Sequence, residues 1–288
     1  MNLLSIIWDV NPIAIPFGLN GGVRWYGILW AVGIYLTYII QQKLYKHEGL
    51  PAEWPDKLFY WIVAGAIIGA RLGHCWFYEW HYMDDPIQIF SWNIHYRNPY
   101  IEHPLWLLRI WEGGLASHGG AIGIILACWG INKYVFAPRN KELKIKTSMV
   151  WVLDRIIIGV CICGMCIRLG NLMNSEIYGG PTNLPWGFVF VRDGQTVPCH
   201  PTQIYEMLYC IFGFVLLWWL YWKKEAYKKT GLLFGVGLEV IFGTRFLLEF
   251  IKLDQEAFEA GMLLNMGQLL SIPFILIGAY SIYRALKA

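Results

Sequence analysis

The sequence predicts an all-α polytopic membrane protein with seven transmembrane helices and a small extracytoplasmic head. Three observations predict it. The 288 residues are 57% hydrophobic and only 15% charged, whereas a soluble domain carries about 25% charged residues. Sixteen Trp and seventeen Tyr supply the amphipathic rings that gather at membrane–water interfaces. Apolar stretches of about 20 residues, long enough to cross a ~30 Å hydrocarbon core as helix, recur along the whole chain.

Taken in order, the expected spans are 25–42, 58–78, 113–132, 149–168, 204–222, 231–250 and 266–284, all within one integral membrane domain, 1–288. The opening "MNLLSIIWDVNPIAIPF" lacks a basic stretch and soon meets Asp9 and prolines, so a cleavable signal peptide is not expected. Orientation follows from the basic residues of the connecting segments. Lys43, Lys46 and Lys57 follow the first span; Lys133, Arg139, Lys141, Lys144 and Lys146 follow the third. Lys223, Lys224, Lys228 and Lys229 follow the fifth, and Arg284 and Lys287 close the chain. With seven spans all of these lie on one side, the cytoplasm, and the N-terminus faces outward. The outward segments 79–112 and 169–203 are aromatic and rich in Pro and Gly. Within the second, "GGPTNLPWGFVFVRDGQTVPCH" (179–200) reads as turns with a short hairpin.

Six of the seven cysteines lie in apolar stretches, and Cys199 alone looks water-accessible. Cys161, Cys163 and Cys166 could be metal ligands or small apolar fillers inside a helix. No His or carboxylate accompanies them, so the filler reading is favoured.

Ionisable groups inside spans are costly in hydrocarbon and therefore mark function by default. At 1.5 Å per residue, Arg71 lies about 20 Å from the inner end of its span, Arg245 about 21 Å from its own, and His118 about 8 Å below an outer end. Glu249 lies beyond Arg245. Arg168 ends the fourth span on the outside, and Tyr26 and Glu206 begin the first and fifth on the same side. The polar groups therefore gather at one depth, beneath the 169–203 segment. Each has a structural alternative. Arg71 could snorkel or bind a backbone carbonyl, Glu206 and Glu249 could neutralise arginines, and His118 could be a satisfied core histidine. Around His118, however, Gly119, Gly120 and Gly123 thin the helix and admit another backbone or a substrate. Asp154, Arg155 and Glu239 fall in the inner half, where an Arg155–Glu239 ion pair is expected.

Two guanidinium groups, Arg168 and Arg245, suit a phosphate at headgroup level because they can bind its oxygens bidentately. Asn171 and Asn174 can orient ester or hydroxyl groups. His118 supplies a base of ordinary pKa near ~6.5. No serine, thiol or metal constellation stands out as a nucleophile of the protein's own, which favours direct transfer between two bound substrates.

Seven stretches carry a resemblance to a known family: "RWYGILWAVGI" (24–34), "GARLGH" (69–74), "PLWLLRIWEGGLASHGGAIG" (104–123), "RLGNLMNSEIYGGPTNLPWG" (168–187), "HPTQIYE" (200–206), "TRFLLEF" (244–250) and "LNMGQLLSIP" (264–273). In these the chain resembles the prolipoprotein diacylglyceryl transferases of bacterial inner membranes. Leu172 stands where an aromatic is common, and the 79–103 segment is longer than in compact members, as an extra extracytoplasmic excursion. The resemblance implies transfer of the diacylglyceryl group of phosphatidylglycerol to the thiol of a prolipoprotein's lipobox cysteine, releasing glycerol 1-phosphate. It implies the membrane lipid and lipobox signal peptides as partners, and calls for no nucleic acid, metal or other cofactor. It places Tyr26, His118, Arg168, Asn171, Glu176, Gly179 and Arg245 at functional positions. His118, Arg168, Arg245, Tyr26 and Asn171 are the expected catalytic set. Arg168, Arg245, Asn171, Asn174, Glu176, Gly179 and Arg71 are expected to bind the lipid. A lipid or anion transporter and a His118-dependent acyltransferase are the competing readings. The first would show inverted repeats, which the sequence lacks, and the second would leave glycerol behind.

Overall fold

The computed structural model describes residues 5–17, 21–77, 79, 81–89, 92–99, 103–108, 116–252 and 263–287. They fall into two compact units, Met1–Glu48 with Leu153–Ala288, and Gly49–Val152. Five helices among the described residues are long and apolar enough to cross a membrane: Trp54–Trp76, Gly119–Leu143, Met149–Met173, Thr202–Lys223 and Met266–Lys287.

In the first unit the Trp25–His47 helix packs on Met149–Met173 at close range. A Cβ on Gly33 would lie 3.1 Å from Cys163 Cα, and Thr37 Oγ1 donates to Gly159 O at 2.9 Å. Cys161 Sγ fills the space over Gly213, 3.2 Å from where its Cβ would be. The cysteines thus sit where helices approach closely, as small apolar residues do.

The 231–250 stretch is helical throughout Leu232–Ile251 but not uniformly α. Leu232–Leu238 gives way to a π turn at Glu239–Gly243, an α turn at Thr244–Leu248 and a 3-10 turn at Glu249–Ile251. Thr244 Oγ1 bonds back to the carbonyls of Val240 and Ile241, a contact that bends helices. The turn re-aims the residues after it, Arg245 and Glu249 among them.

The inner-half charges pair differently from expectation. Arg155 Nη2 meets Glu48 Oε2 at 2.6 Å, and Tyr221 donates to Glu48 Oε1 at 2.8 Å. Glu239 Oε1 has no hydrogen-bond partner among the described residues. Arg155 therefore finds its carboxylate at the end of the first helix rather than across the bundle. Asp154 accepts backbone N–H groups from Gly231 at 2.6 Å and Phe234 at 2.8 Å. Its charge sits at a helix N-terminus, where the dipole favours it.

The 179–200 stretch folds back on itself through single antiparallel bridges, Cys199 with Phe188 and with Pro181, rather than through a paired two-strand hairpin. Strand Phe188–Phe190 pairs in parallel with Ile6–Trp8 from the opposite end of the chain. Cys199 bridges back to Phe188 and Pro181, which buries it to 1% exposure instead of leaving it to water. Leu172, Tyr178, Phe188, Phe190 and Cys199 form a small core, joined by Trp8, whose indole N–H donates to Leu172 O at 2.9 Å. Burial and the neighbouring Asp193 push the Tyr178 hydroxyl up to about 12.

In the second unit Trp54–Phe77 and Ser117–Ile131 meet backbone to backbone. A Cβ on Gly123 would lie 2.0 Å from Gly65 O, and one on Gly119 2.2 Å from Gly69 O. Only glycine permits such contact, the packing mode of small residues between membrane helices. The 79–103 segment carries an antiparallel pair, His81–Ile89 with Trp92–Arg97. Trp54 stacks on Phe136 at 4.2 Å, and Arg139 bonds both Glu53 and Glu142.

Candidate active site

The site in the first unit grows from the end of the Met149–Met173 helix, which runs five residues past the expected end of its span at 168. That extension puts Arg168 and Asn171 three residues apart on one helical face. Arg168 Nη1 donates to Asn171 Oδ1 at 3.2 Å. The helix stops because Ser175 and Ile177 take the left-handed region, at φ 56° and 59°. A β-branched residue there is a true outlier, and each such residue costs on the order of 1–3 kcal/mol unless its surroundings hold it.

The surroundings do hold it. Gln203 Nε2 donates to Glu176 O at 2.7 Å and Thr202 Oγ1 to Ile177 O at 2.8 Å. The stretch "HPTQIYE" thus acts as a clamp on the strained turn. The turn folds Glu176 back, so that its Oε1 accepts from Asn171 at 2.7 Å and from Asn174 at 3.3 Å. Gly179 follows, with its N–H donating to His200 O at 2.8 Å. It is not at positive φ; its need for glycine is a close approach. A Cβ would lie 2.5 Å from Ile251 O and 2.8 Å from His200 Cβ.

Five charged side chains form one alternating row. Arg168 Nε lies 2.8 Å from Glu206 Oε2, and Glu206 Oε1 lies 2.8 Å from Lys252 Nζ. Lys252 Nζ lies 3.0 Å from Glu249 Oε1, which Arg245 Nε approaches to 3.5 Å. Among the described residues no N–H points well enough at Glu206 Oε2 to count as a hydrogen bond, so the Arg168 contact is an ion contact rather than a directed bond. Glu249 is further fixed by Asn265, whose amide reaches its Oε2 at 3.3 Å, and it packs over Gly267. The row is buried at its centre and open at its ends. The side chain of Lys252 is 1% exposed, that of Arg168 17% and that of Arg245 33%.

The structure thus joins Arg168, Arg245, Asn171, Asn174 and Glu176 in one hydrogen-bond and ion-pair network, with Gly179 at its edge. Tyr26 lies against the same helix end: a Cβ on Gly170 would meet its ring at 2.8 Å. Arg71 belongs to the second unit, where its Nε donates to Leu107 O at 3.1 Å. His118 is the second residue of the Ser117–Ile131 helix, and its side chain lies outside the described residues. Lys252 was not anticipated. It looks like an ordinary basic residue flanking a span, but it stands three residues after Glu249 and seven after Arg245, just past the helical turn Glu249–Ile251. That spacing is the signal that could have found it.

Apolar helices long enough to cross a membrane, with two arginines beside buried carboxylates, make a site in a membrane protein that suits an anionic ligand. The model of the prolipoprotein diacylglyceryl transferase family matches residues 12–284, and the chain belongs to that family. Among its relatives is a phosphatidylglycerol–prolipoprotein diacylglyceryl transferase of Porphyromonas gingivalis, 44% identical over 98% of this chain and 95% of that protein. Proteins of the same name from Tolumonas auensis and Chloroherpeton thalassium are 42% and 39% identical, over 95% and 98% of this chain and 95% of each relative. The chain is a transferase and, by its apolar helices, a multi-pass membrane protein.

Proposed function

We propose that the protein transfers the diacylglyceryl group of phosphatidylglycerol to the thiol of a prolipoprotein's lipobox cysteine. It does so in the bacterial inner membrane, as a single membrane domain of seven spans, with the N-terminus outside and the C-terminus in the cytoplasm. Residues 79–112 and 169–203 form its extracytoplasmic part. The reaction is the first step of lipoprotein maturation.

The observation that carries this reading is the way the two arginines are held. Each has its Nε nearest a buried carboxylate, Arg168 Nη1 also donates to Asn171, and both arginine side chains stand at the open ends of the row, 17% and 33% exposed, where a ligand can reach them. Such a pair suits a phosphodiester, whose oxygens accept bidentate bonds. Asn171 and Asn174, fixed by Glu176, orient the headgroup, and Tyr26 closes the helix end beside Arg168.

The chemistry balances as follows. The cysteine thiolate attacks the glyceryl carbon that bears the phosphate. A C–S bond forms, the C–O bond to phosphate breaks, and the electron pair leaves on the phosphate oxygen. The products are a thioether and glycerol 1-phosphate. Charge accumulates on the leaving phosphate, where Arg168 and Arg245 stabilise it; stabilising charge that develops in the transition state is a large catalytic term. His118 takes the thiol proton, since a thiol of pKa ~8.5 is mostly protonated at neutral pH.

Purified protein supplied with phosphatidylglycerol and a lipobox peptide tests this. The expected products are a thioether-linked diacylglyceryl peptide and an equal amount of glycerol 1-phosphate. An acyl ester on the peptide, or lipid movement with no covalent product, would overturn the reading in favour of an acyltransferase or a transporter.

A further inference from the structure

We propose that Lys252 is a positioning residue for the transfer: its buried ammonium satisfies Glu206 and Glu249 so that Arg168 and Arg245 remain turned toward the anionic headgroup. The inference rests on the reaction proposed above and adds a residue to it.

Burial is the first argument. The Lys252 side chain is 1% exposed and lies between carboxylate side chains that are 0% and 4% exposed. Ions this deep cost several kcal/mol each unless they are paired, and Lys252 is the group both carboxylates share. Geometry is the second. Its Nζ reaches Glu206 Oε1 at 2.8 Å and Glu249 Oε1 at 3.0 Å, both as directed hydrogen bonds. The arginine contacts to the same carboxylates are closest at Nε, at 2.8 Å and 3.5 Å. Were Lys252 neutral, each carboxylate would have its arginine as sole counter-ion. The guanidinium would then be drawn across it in the two-pronged arrangement that carboxylates favour, and the edges facing the ligand would be consumed.

Charge is the third argument. Three cations and two carboxylates leave the row itself with one positive charge, beside Glu176, which reaches it through Asn171. Without Lys252 the row is neutral. Placement is the fourth. The backbone of Lys252 pairs with Gly179 in an isolated β-bridge, and Gly180 N–H donates to Ile251 O at 3.0 Å. The Arg168–Gly179 segment is thereby tied to the same residue that balances the charge.

The test is steady-state thioether formation by detergent-purified Lys252→Met, Lys252→Arg, Glu249→Gln and the double variant Lys252→Met/Glu249→Gln. Lys252→Met should raise KM for phosphatidylglycerol about tenfold or more and leave KM for the peptide unchanged. Lys252→Arg should keep activity within about threefold of wild type, since it keeps the charge. The double variant restores the single positive charge and keeps an oxygen facing Arg245, so it should recover much of the loss. A role in packing alone predicts no such rescue. A well-folded double variant no better than Lys252→Met, or a Lys252→Met protein with wild-type KM for the lipid, would overturn the proposal. If Lys252→Met does not accumulate, the double variant against Glu249→Gln decides. Comparable activity supports the proposal, and background activity beside an active Glu249→Gln overturns it. A wild-type protein that forms no thioether would sink the reaction instead. The same variants are then compared by displacement of a fluorescent phosphatidylglycerol, with the same expected order.

Discussion

Asn171 is held from both sides: its Nδ2 donates to Glu176 Oε1 at 2.7 Å and its Oδ1 accepts from Arg168 Nη1 at 3.2 Å. The two contacts fix which way the amide points and make Glu176 an indirect support for Arg168. Asn171→Asp places a carboxylate against Glu176. Its kcat/KM should fall on the order of 100-fold, from lost hydrogen bonding and like-charge repulsion at an inserted, folded protein. Adding Glu176→Gln supplies a donor again and should restore part of the activity. An unrescued double variant would show that the Asn171–Glu176 contact does not support the site.

Gly179→Ala should be costly for a different reason. Its Cβ would come 2.5 Å from a backbone oxygen, Ile251 O, which cannot rotate away. Overpacking of this kind costs about 1–3 kcal/mol. A lowered thermal midpoint in detergent and loss of most transfer are expected. Wild-type stability and activity would mean that the bridge between residues 179 and 252 yields freely.

His118→Gln separates proton transfer from positioning. If His118 is the base, the defect should be largest near neutral pH and shrink as the pH rises toward the thiol's ~8.5, where substrate thiolate forms unaided. A defect that stays constant across that range would make His118 a positioning group.

Topology is tested by reporter fusions after Lys228 and after Ala288, both of which should report cytoplasm. A periplasmic signal at either would break the seven-span arrangement.

The site was legible where its residues follow one another along the chain. Arg168, Asn171, Asn174 and Glu176 stand within nine residues, and a cluster so polar at the end of an apolar run has few other uses. The partners were harder to read. Arg155 meets Glu48 rather than Glu239 because its counter-ion comes from a helix 107 residues earlier, and no local spacing encodes that. Cys199 looked exposed because its neighbours are polar; pairing with Phe188 buries it. The parallel pairing of Phe188–Phe190 with Ile6–Trp8 is not legible locally, because the two strands lie about 180 residues apart. Lys252 hid among the basic residues that flank membrane spans, although its side chain turns inward. The departure from α geometry in the 231–250 stretch has only a faint local sign, Thr244, whose hydroxyl competes for carbonyls of the preceding turn.

The central claim is that the glyceryl carbon moves from oxygen to sulfur while the phosphate keeps its ester oxygen. Phosphatidylglycerol carrying ¹⁸O at the oxygen between the diacylglyceryl carbon and phosphorus tests it most directly, with both products weighed by mass spectrometry. The account predicts that all of the label leaves in glycerol 1-phosphate and none stays in the thioether peptide. Label retained with the diacylglyceryl group, as diacylglycerol or on the peptide, would mean that the P–O bond breaks and would contradict it.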